Sequence, residues 1–480
     1  MASTIDNIAN PFTRKEIRVA VCGMQYSGKT VFITSLADHL LHHNPERNNS
    51  DASRFDLGDY VIGDNADVKD LHAPGDSIGN FEFRKFRDSF GNNKWPEKTP
   101  KTTELVLDFT LECRGAGNSL ARWFSTREIR LRILDVPGER MADFLMAGLD
   151  FAKWSDAILG NGKHRRKHLG AYRERAESAV AGSDATQAEA ILLSEYRQAL
   201  DEAKGVFDRF VTPSVYRAPL DGEKNSPRYL GLVGKEFAPM PPALREKYPA
   251  LAKKFAKHYD DYRDSVVSPI VDWMKTADKA LFLLDVFSCL NGGTQAYNGT
   301  LAEMNAVLDV LGSKGLFDDI CEGFEYLFTR FQFPISSEDI RIVVTKMDMA
   351  DPTGRDNLLA LARQMFGKKA ATVTGYSHPD KAFLSCAAVK TDEKADGSET
   401  KKEVLKGIPR TDAEIKPGKG IPYIVPENLD DWRNRFSLRD LNPPWFNLSP
   451  LDDLPPKHAG LDAIACFLLD IPAPPKAASK

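Results

Sequence analysis

The chain has 480 residues, a net charge of −4, 42% apolar and 28% charged residues. That length suggests two or three structural units, and the near-neutral charge gives no basic field for a nucleic-acid or anionic-membrane partner. Six scattered cysteines (Cys22, Cys113, Cys289, Cys321, Cys386, Cys466) form no C-x-x-C pair, which points to a reduced, cytoplasmic compartment.

The opening residues MASTIDNIANPFTRKE lack the apolar stretch of a secretory signal. No run approaches the about 18 apolar residues of a membrane helix, so no integral membrane segment is expected. Ile17–Cys22 reads as a buried strand running into a glycine turn, Gly23–Gly28. Val31, Phe32, Ile33, Leu36, Leu40 and Leu41 then recur at helical spacing, which starts a helix at about Lys29. Residues 44–98 are polar and weakly patterned. Strands are expected at Glu104–Glu112 and Ile129–Leu134, joined through a turn at Gly115–Asn118 and paired as an antiparallel ribbon at a sheet edge.

From Arg140 to about Lys275 the pattern is helical, with stripes through Phe151, Trp154 and Ile158, through Ala188–Phe207 and through Tyr248–Met274. A strand at Ala280–Phe287, interrupted by Asp285 at the sheet's carboxyl edge, resumes an α/β rhythm. A helix at Leu301–Leu311, a strand at Ile340–Thr345, a helix at Asn357–Phe366 and a strand at Ala382–Ser385 follow. The charged stretch Thr391–Glu403 reads as a mobile loop, and the proline-rich Ile408–Pro455 as extended segments and turns. The chain closes with an amphipathic helix carrying Leu461, Ile464, Phe467, Leu468 and Ile471.

Strands alternating with helices imply an α/β fold, a mostly parallel sheet with helices on both faces. The stretch between Gly138 and Ala280 far exceeds the roughly 30 residues of a bare βαβ unit. It is expected to be a helical insertion, residues 139–275, dividing a core made of residues 1–138 and 276–480.

Gly23-Met24-Gln25-Tyr26-Ser27-Gly28-Lys29-Thr30 satisfies G-x-x-x-x-G-K-[ST] in a strand–turn–helix context. In such a P-loop the backbone N–H groups cradle phosphates at a helix N-terminus, Lys29 reaches the β- and γ-phosphates, and Thr30 binds Mg²⁺. The residues expected to line the nucleotide here are Gly23, Gln25, Tyr26, Ser27, Gly28, Lys29, Thr30 and Val31. Gln25 and Tyr26 stand where many small GTPases carry glycine, so Gln25 can crowd the γ-phosphate side.

Asp135-Val136-Pro137-Gly138 ends a strand and matches D-x-x-G. Asp135 can hold Mg²⁺ through water, and the Gly138 N–H can sense the γ-phosphate. Glu139 stands where Ras-type enzymes orient water with Gln, and Arg140 is a candidate for stabilising charge in cis, with a surface ion pair as the alternative. A switch threonine is sought among Thr99, Thr102 and Thr103. Thr345-Lys346-Met347-Asp348 matches [NT]-K-x-D, in which Asp348 accepts the two guanine donors that adenine lacks while the Lys346 stem lies on the base. Ser385-Cys386-Ala387-Ala388 resembles the loop whose backbone N–H, from Cys386 or Ala387, meets guanine O6.

The basic run Lys163–His168 reads as the solvated face of a helix, and His42–His43 as partners of carbonyls at a helix end.

Taken together, GMQYSGKTVFITSLADHLL (23–41), WPEKT (95–99), DVPGE (135–139), LDVFSCLNGG (284–293), TKMD, CAAVKTD (386–392) and the closing LDAIACFLLD resemble the YcjX-like family of bacterial stress-associated P-loop proteins. That resemblance implies a Ras-like P-loop NTPase core with large insertions, guanine-nucleotide binding, a cytosolic site and heat-stress induction; GTP and GDP are thus the expected ligands, with Mg²⁺ expected from Thr30 and Asp135. It also implies Thr99 as the switch threonine, which would hold the metal. The sequence departs from the family pattern at Val136, usually aromatic, and at Arg140, often Trp. An effector is unidentified, and a membrane-associated protein is left open. A nucleotide-gated binding protein with negligible turnover and an ATPase are the alternatives to a GTPase.

Overall fold

The computed structural model describes residues 14–23, 27–43, 55–73, 76, 78–92, 94–97, 101–114, 126–159, 167–204, 213, 216, 232–286, 339–349, 355–365, 382–395, 406–409, 421–422, 436–437, 446–448 and 455–474. The expected helix at Leu301–Leu311 and the turn at Gly115–Asn118 lie outside them. So do residues 163–166 of the basic run.

Strand β1 (Lys15–Gly23) runs through the middle of the main sheet. Val19 and Val21 enter one core while Ala20 and Cys22 enter the other, so the strand is apolar on both faces. That double burial is why it reads as a continuous apolar run. Helix α1 (Lys29–Leu41) follows it.

The ribbon expected at the edge forms, but inside the sheet. Strands β5 (Thr103–Cys113) and β6 (Arg127–Asp135) are antiparallel, with Thr103 opposite Asp135. However, β6 pairs in parallel with β1 on its other side. The outer side of β5 is covered by β2 (Tyr60–Ile62), β3 (Asp67–Lys69) and β4 (Gly79–Asn80). These two- and three-residue strands come from the polar stretch 44–98, too short to show any alternation. The same stretch holds helix α2 (Phe83–Gly91), which buries Phe83, Phe86 and Phe90 at three- and four-residue spacing.

The helical stretch comprises α3 (Phe151–Leu159), α4 (Lys167–Ala179), α5 (Ala185–Lys204), α6 (Pro242–Lys247), α7 (Pro249–Tyr262) and α8 (Ser268–Met274). Its aromatic stripe, with Trp154, Phe237, Phe255 and Tyr259 all within 2% exposure, shares one core with Ala20, Leu134 and Phe282 of the sheet. The chain then returns through β7 (Lys279–Leu284), β8 (Ile340–Val344), helix α9 (355–365) and β9 (Phe383–Ser385), the three strands parallel to one another. The sheet order is β2-β5-β6-β1-β7-β8-β9, so β9 ends it.

Part of the expected loop 391–403 is a strand. β10 (Thr391–Ala395) pairs antiparallel with β14 (Phe446–Leu448), a partner more than 50 residues away that local composition cannot reveal. Residues 396–403 lie outside the described residues. Within the proline-rich region, β11 (Lys406–Pro409) pairs with β12 (Ile421–Pro422) and β13 (Phe436–Ser437), an extended arrangement as expected.

Helix α10 (Leu461–Leu469) buries Leu461, Ile464 and Leu468 in the core it shares with α1, on the sheet face opposite helices α3 to α8. Lys279 holds its C-terminal end through the Phe467 carbonyl and Asp470. No helix among the described residues is long and apolar enough to cross a membrane.

Candidate functional site

The four motif segments all leave the C-terminal ends of parallel strands: the glycine turn after β1, Asp135–Gly138 after β6, Thr345–Asp348 after β8 and Ser385–Ala388 around the end of β9. Crevices outside the carboxyl ends of such strands are where α/β folds place ligands.

Gly23 closes β1 in a space that admits no side chain. A Cβ there would lie 2.7 Å from the Leu283 carbonyl and 2.7 Å from Ser27 Oγ. Gly28 caps α1 at φ +86, the left-handed region that suits glycine. Lys29 is buried, and its ammonium donates to the Gly23 carbonyl at 2.8 Å, folded back across the turn. Ser27 is fully buried, and its Oγ has no hydrogen-bond partner among the described residues. Val31 packs beside Phe90 and Val389. Gln25 and Tyr26 lie outside the described residues.

Thr30 Oγ1 lies 3.5 Å from Asp135 Oδ2, so two hard oxygen donors meet between α1 and β6. Asp135 is 2% exposed. Burial pushes the nearby Cys22 thiol up to about 12, which keeps it neutral beside Lys29 and Asp135.

A 3-10 helix starts at Gly138 and runs to Met146. Glu139 falls in it, but its side chain lies outside the described set. Arg140 is 4% exposed, so it is buried rather than at the surface, and its backbone N–H donates to the Pro137 carbonyl. Helix α7 holds this segment. Tyr262 Oη donates to Asp143 at 2.7 Å, and Tyr259 Oη to the Met146 and Leu149 carbonyls. Thr99 lies outside the described residues. Thr102 and Thr103 are buried, and the Thr103 hydroxyl has no partner among the described residues.

The Thr345–Asp348 segment touches the glycine turn directly. Thr345 Oγ1 donates to the Ser27 carbonyl at 2.9 Å. Lys346 adopts φ +58, and its ammonium pairs with Asp285 at 2.7 Å, which places Asp285 at the carboxyl edge of β7 as expected. Asp348 is 6% exposed, and the neighbouring Met347 N–H donates to the Cys386 carbonyl. The N–H groups of Cys386 and Ala387 donate to the Val344 and Ala459 carbonyls at 2.8 and 2.9 Å. Recognition of a base through either amide therefore requires that bond to be shared or exchanged.

His42 meets a helix-end carbonyl, its Nδ1 lying 3.0 Å from the Asp38 carbonyl, whereas His43 accepts the Ile62 N–H instead. Sequence reasoning did not single out Ser35, Ala459 or Gly460, which brace the Ser385–Ala388 loop. No motif marks them, because Ser35 acts through a lone hydroxyl on a backbone carbonyl and the other two through backbone contacts.

The arrangement defines a mixed α/β protein whose candidate site is built from four loops at one edge of a central sheet. The profile of the YcjX-like family, DUF463, matches residues 17–471, and the chain belongs to that family. It is 23% identical over 462 residues to the Ras-like GTPase YcjX of Shewanella oneidensis, covering 90% of this chain and 89% of that one. It is 24% identical over 492 residues to the Ras-like GTPase YcjX of Escherichia coli K12, covering 98% of both.

Proposed function

We propose that the chain binds GTP and GDP with Mg²⁺ and hydrolyses GTP slowly, as a stress-related switch on a Ras-like P-loop core. The observation that carries this reading is the Thr345–Ser27 hydrogen bond. It joins a guanine-reading motif to a phosphate loop, which chance matches to the two patterns would not do. The names of the two relatives agree with it.

In this reading Lys29 exchanges the Gly23 carbonyl for the β- and γ-phosphate oxygens, and the buried Ser27 hydroxyl, without a partner among the described residues, gains one. Thr30 and Asp135 are the oxygen donors for Mg²⁺, joined by a switch threonine, with Thr99 the family's choice. The metal supplies neutralising charge at the phosphates. Gly138 contributes its N–H at the γ-phosphate. Asp348 accepts from guanine N1–H and the exocyclic amine, and Asp285 steadies Lys346 against the base. Glu139 positions water and Arg140 stabilises developing charge. A carboxylate in place of the usual Gln adds negative charge beside the γ-phosphate, which accounts for slow turnover.

The test is a titration with fluorescent GDP and ADP analogues, followed by phosphate release from GTP, with Thr30→Ala as control. Equal affinity for ADP would end the guanine assignment. Tight GTP binding with no release above the control would replace hydrolysis with a nucleotide-gated binding role.

A further inference from the structure

Strand β9 is three residues long and ends the sheet, bonded to β8 on one side. A loop leaving such an edge has no neighbouring strand to fix it. Here a second segment takes that place. Ala387 and Ala459 exchange N–H···O bonds in both directions, at 2.9 and 2.8 Å, and Lys390 N–H donates to the Lys457 carbonyl at 2.7 Å. The P-loop helix braces the same assembly twice. Ser35 Oγ donates to the Ala388 carbonyl at 2.6 Å, and His39 Nε2 lies 2.8 Å from the Pro456 carbonyl. Gly460 presses closest. At φ +75 it caps α10, and a Cβ on it would stand 2.2 Å from the Ser385 carbonyl oxygen.

We infer that the strap Pro456–Gly460 positions the guanine-reading loop and so sets affinity and selectivity for the base, leaving phosphate binding to the P-loop. This rests on the guanine-binding reading above. The strap cannot drift, since α10 behind it is sunk in the core and its end is tied to Lys15 and Lys279 through Asp470. The chain of contact then runs from Gly460 and Ala459 to Ser385–Ala387, and from the Cys386 carbonyl to Met347, next to Asp348. Gly460, Ala459 and Ser35 are positioning residues in this scheme.

Gly460→Ala in the full chain forces the loop or the strap to move, because the obstructing atom is backbone. Competition against a fluorescent GDP analogue gives affinities for GDP, ADP and pyrophosphate, the last of which reports the P-loop alone. The expected result is a loss of GDP affinity of about tenfold or more, a smaller ratio of GDP to ADP affinity, and pyrophosphate affinity unchanged within about twofold. Ser35→Ala, which removes one brace and leaves the backbone alone, is expected to show the same pattern at about threefold to tenfold and carries the test if Gly460→Ala does not fold. GDP affinity equal to wild type in both variants overturns the inference, as does a parallel loss of GDP and pyrophosphate. Failure of the wild-type chain to bind GDP would instead overturn the reading beneath it.

Discussion

Glu104 is the most heavily bonded carboxylate on β5, and its removal has a cost that can be worked out from its partners. Its side chain is fully buried and accepts Arg132 Nε and Nη2 at 2.6 and 2.9 Å, His72 Nε2 at 2.5 Å and Trp273 Nε1 at 3.1 Å. These donors come from β6, from the segment leading to β4 and from helix α8, so a single carboxylate joins the strand pair before the site to the helical layer. Glu104→Ala strips the acceptor from a largely buried guanidinium, which typically costs roughly 3–5 kcal/mol. Arg132 keeps a 3.2 Å bond to Glu16, which places the expectation at the lower end, about 3 kcal/mol. Trp273→Phe removes one bond to a charged group, worth about 1.5–3 kcal/mol. Because the two residues touch, the double variant should fall short of the sum by about 1 kcal/mol or more. Urea unfolding followed by far-ultraviolet circular dichroism gives all three values. A Glu104→Ala cost below about 1 kcal/mol, or strict additivity with Trp273→Phe, would refute the reasoning.

Burial holds His39 down to about 4 and His458 to about 2, against an ordinary value of 6.5. Both are neutral when folded, so their contribution is complete above pH 6.5 and is lost as pH falls from there toward the folded values, by about 2 kcal/mol per histidine at pH 5. His458→Phe should flatten this acid limb, since neither ring nitrogen has a partner among the described residues to lose; an unchanged pH profile of the unfolding midpoint would count against it. Gly23→Ala should destabilise the fold by about 1–3 kcal/mol, because its methyl meets a backbone carbonyl and a buried hydroxyl; thermal unfolding unchanged within error would contradict the cramped geometry. GDP at about 100 times its Kd should stabilise the wild-type protein by about 2.7 kcal/mol and Lys29→Ala far less, and equal shifts in both would argue against phosphate binding at Lys29.

The glycine turn, the strand ending at Asp135 and the Thr345–Asp348 segment were legible in the residues because each is a short pattern with a local physical cause. Glycine permits the turn, apolar runs mark buried strands, and polar groups placed at strand ends face the crevice. The helical stretch and α10 were legible by period. Tertiary structure decided the rest. Strands β2 to β4 exist because β5 offers them an edge, and α2 forms because Phe83, Phe86 and Phe90 find a core. The pairing of β10 with β14 and the insertion of β6 between β5 and β1 depend on partners far away in the chain. The bracing of the Ser385–Ala388 loop is the clearest case, since backbone carbonyls and a glycine with no room for a Cβ carry it. Residue identity announces a side chain's chemistry, whereas a backbone contact becomes visible only once the fold brings its two ends together.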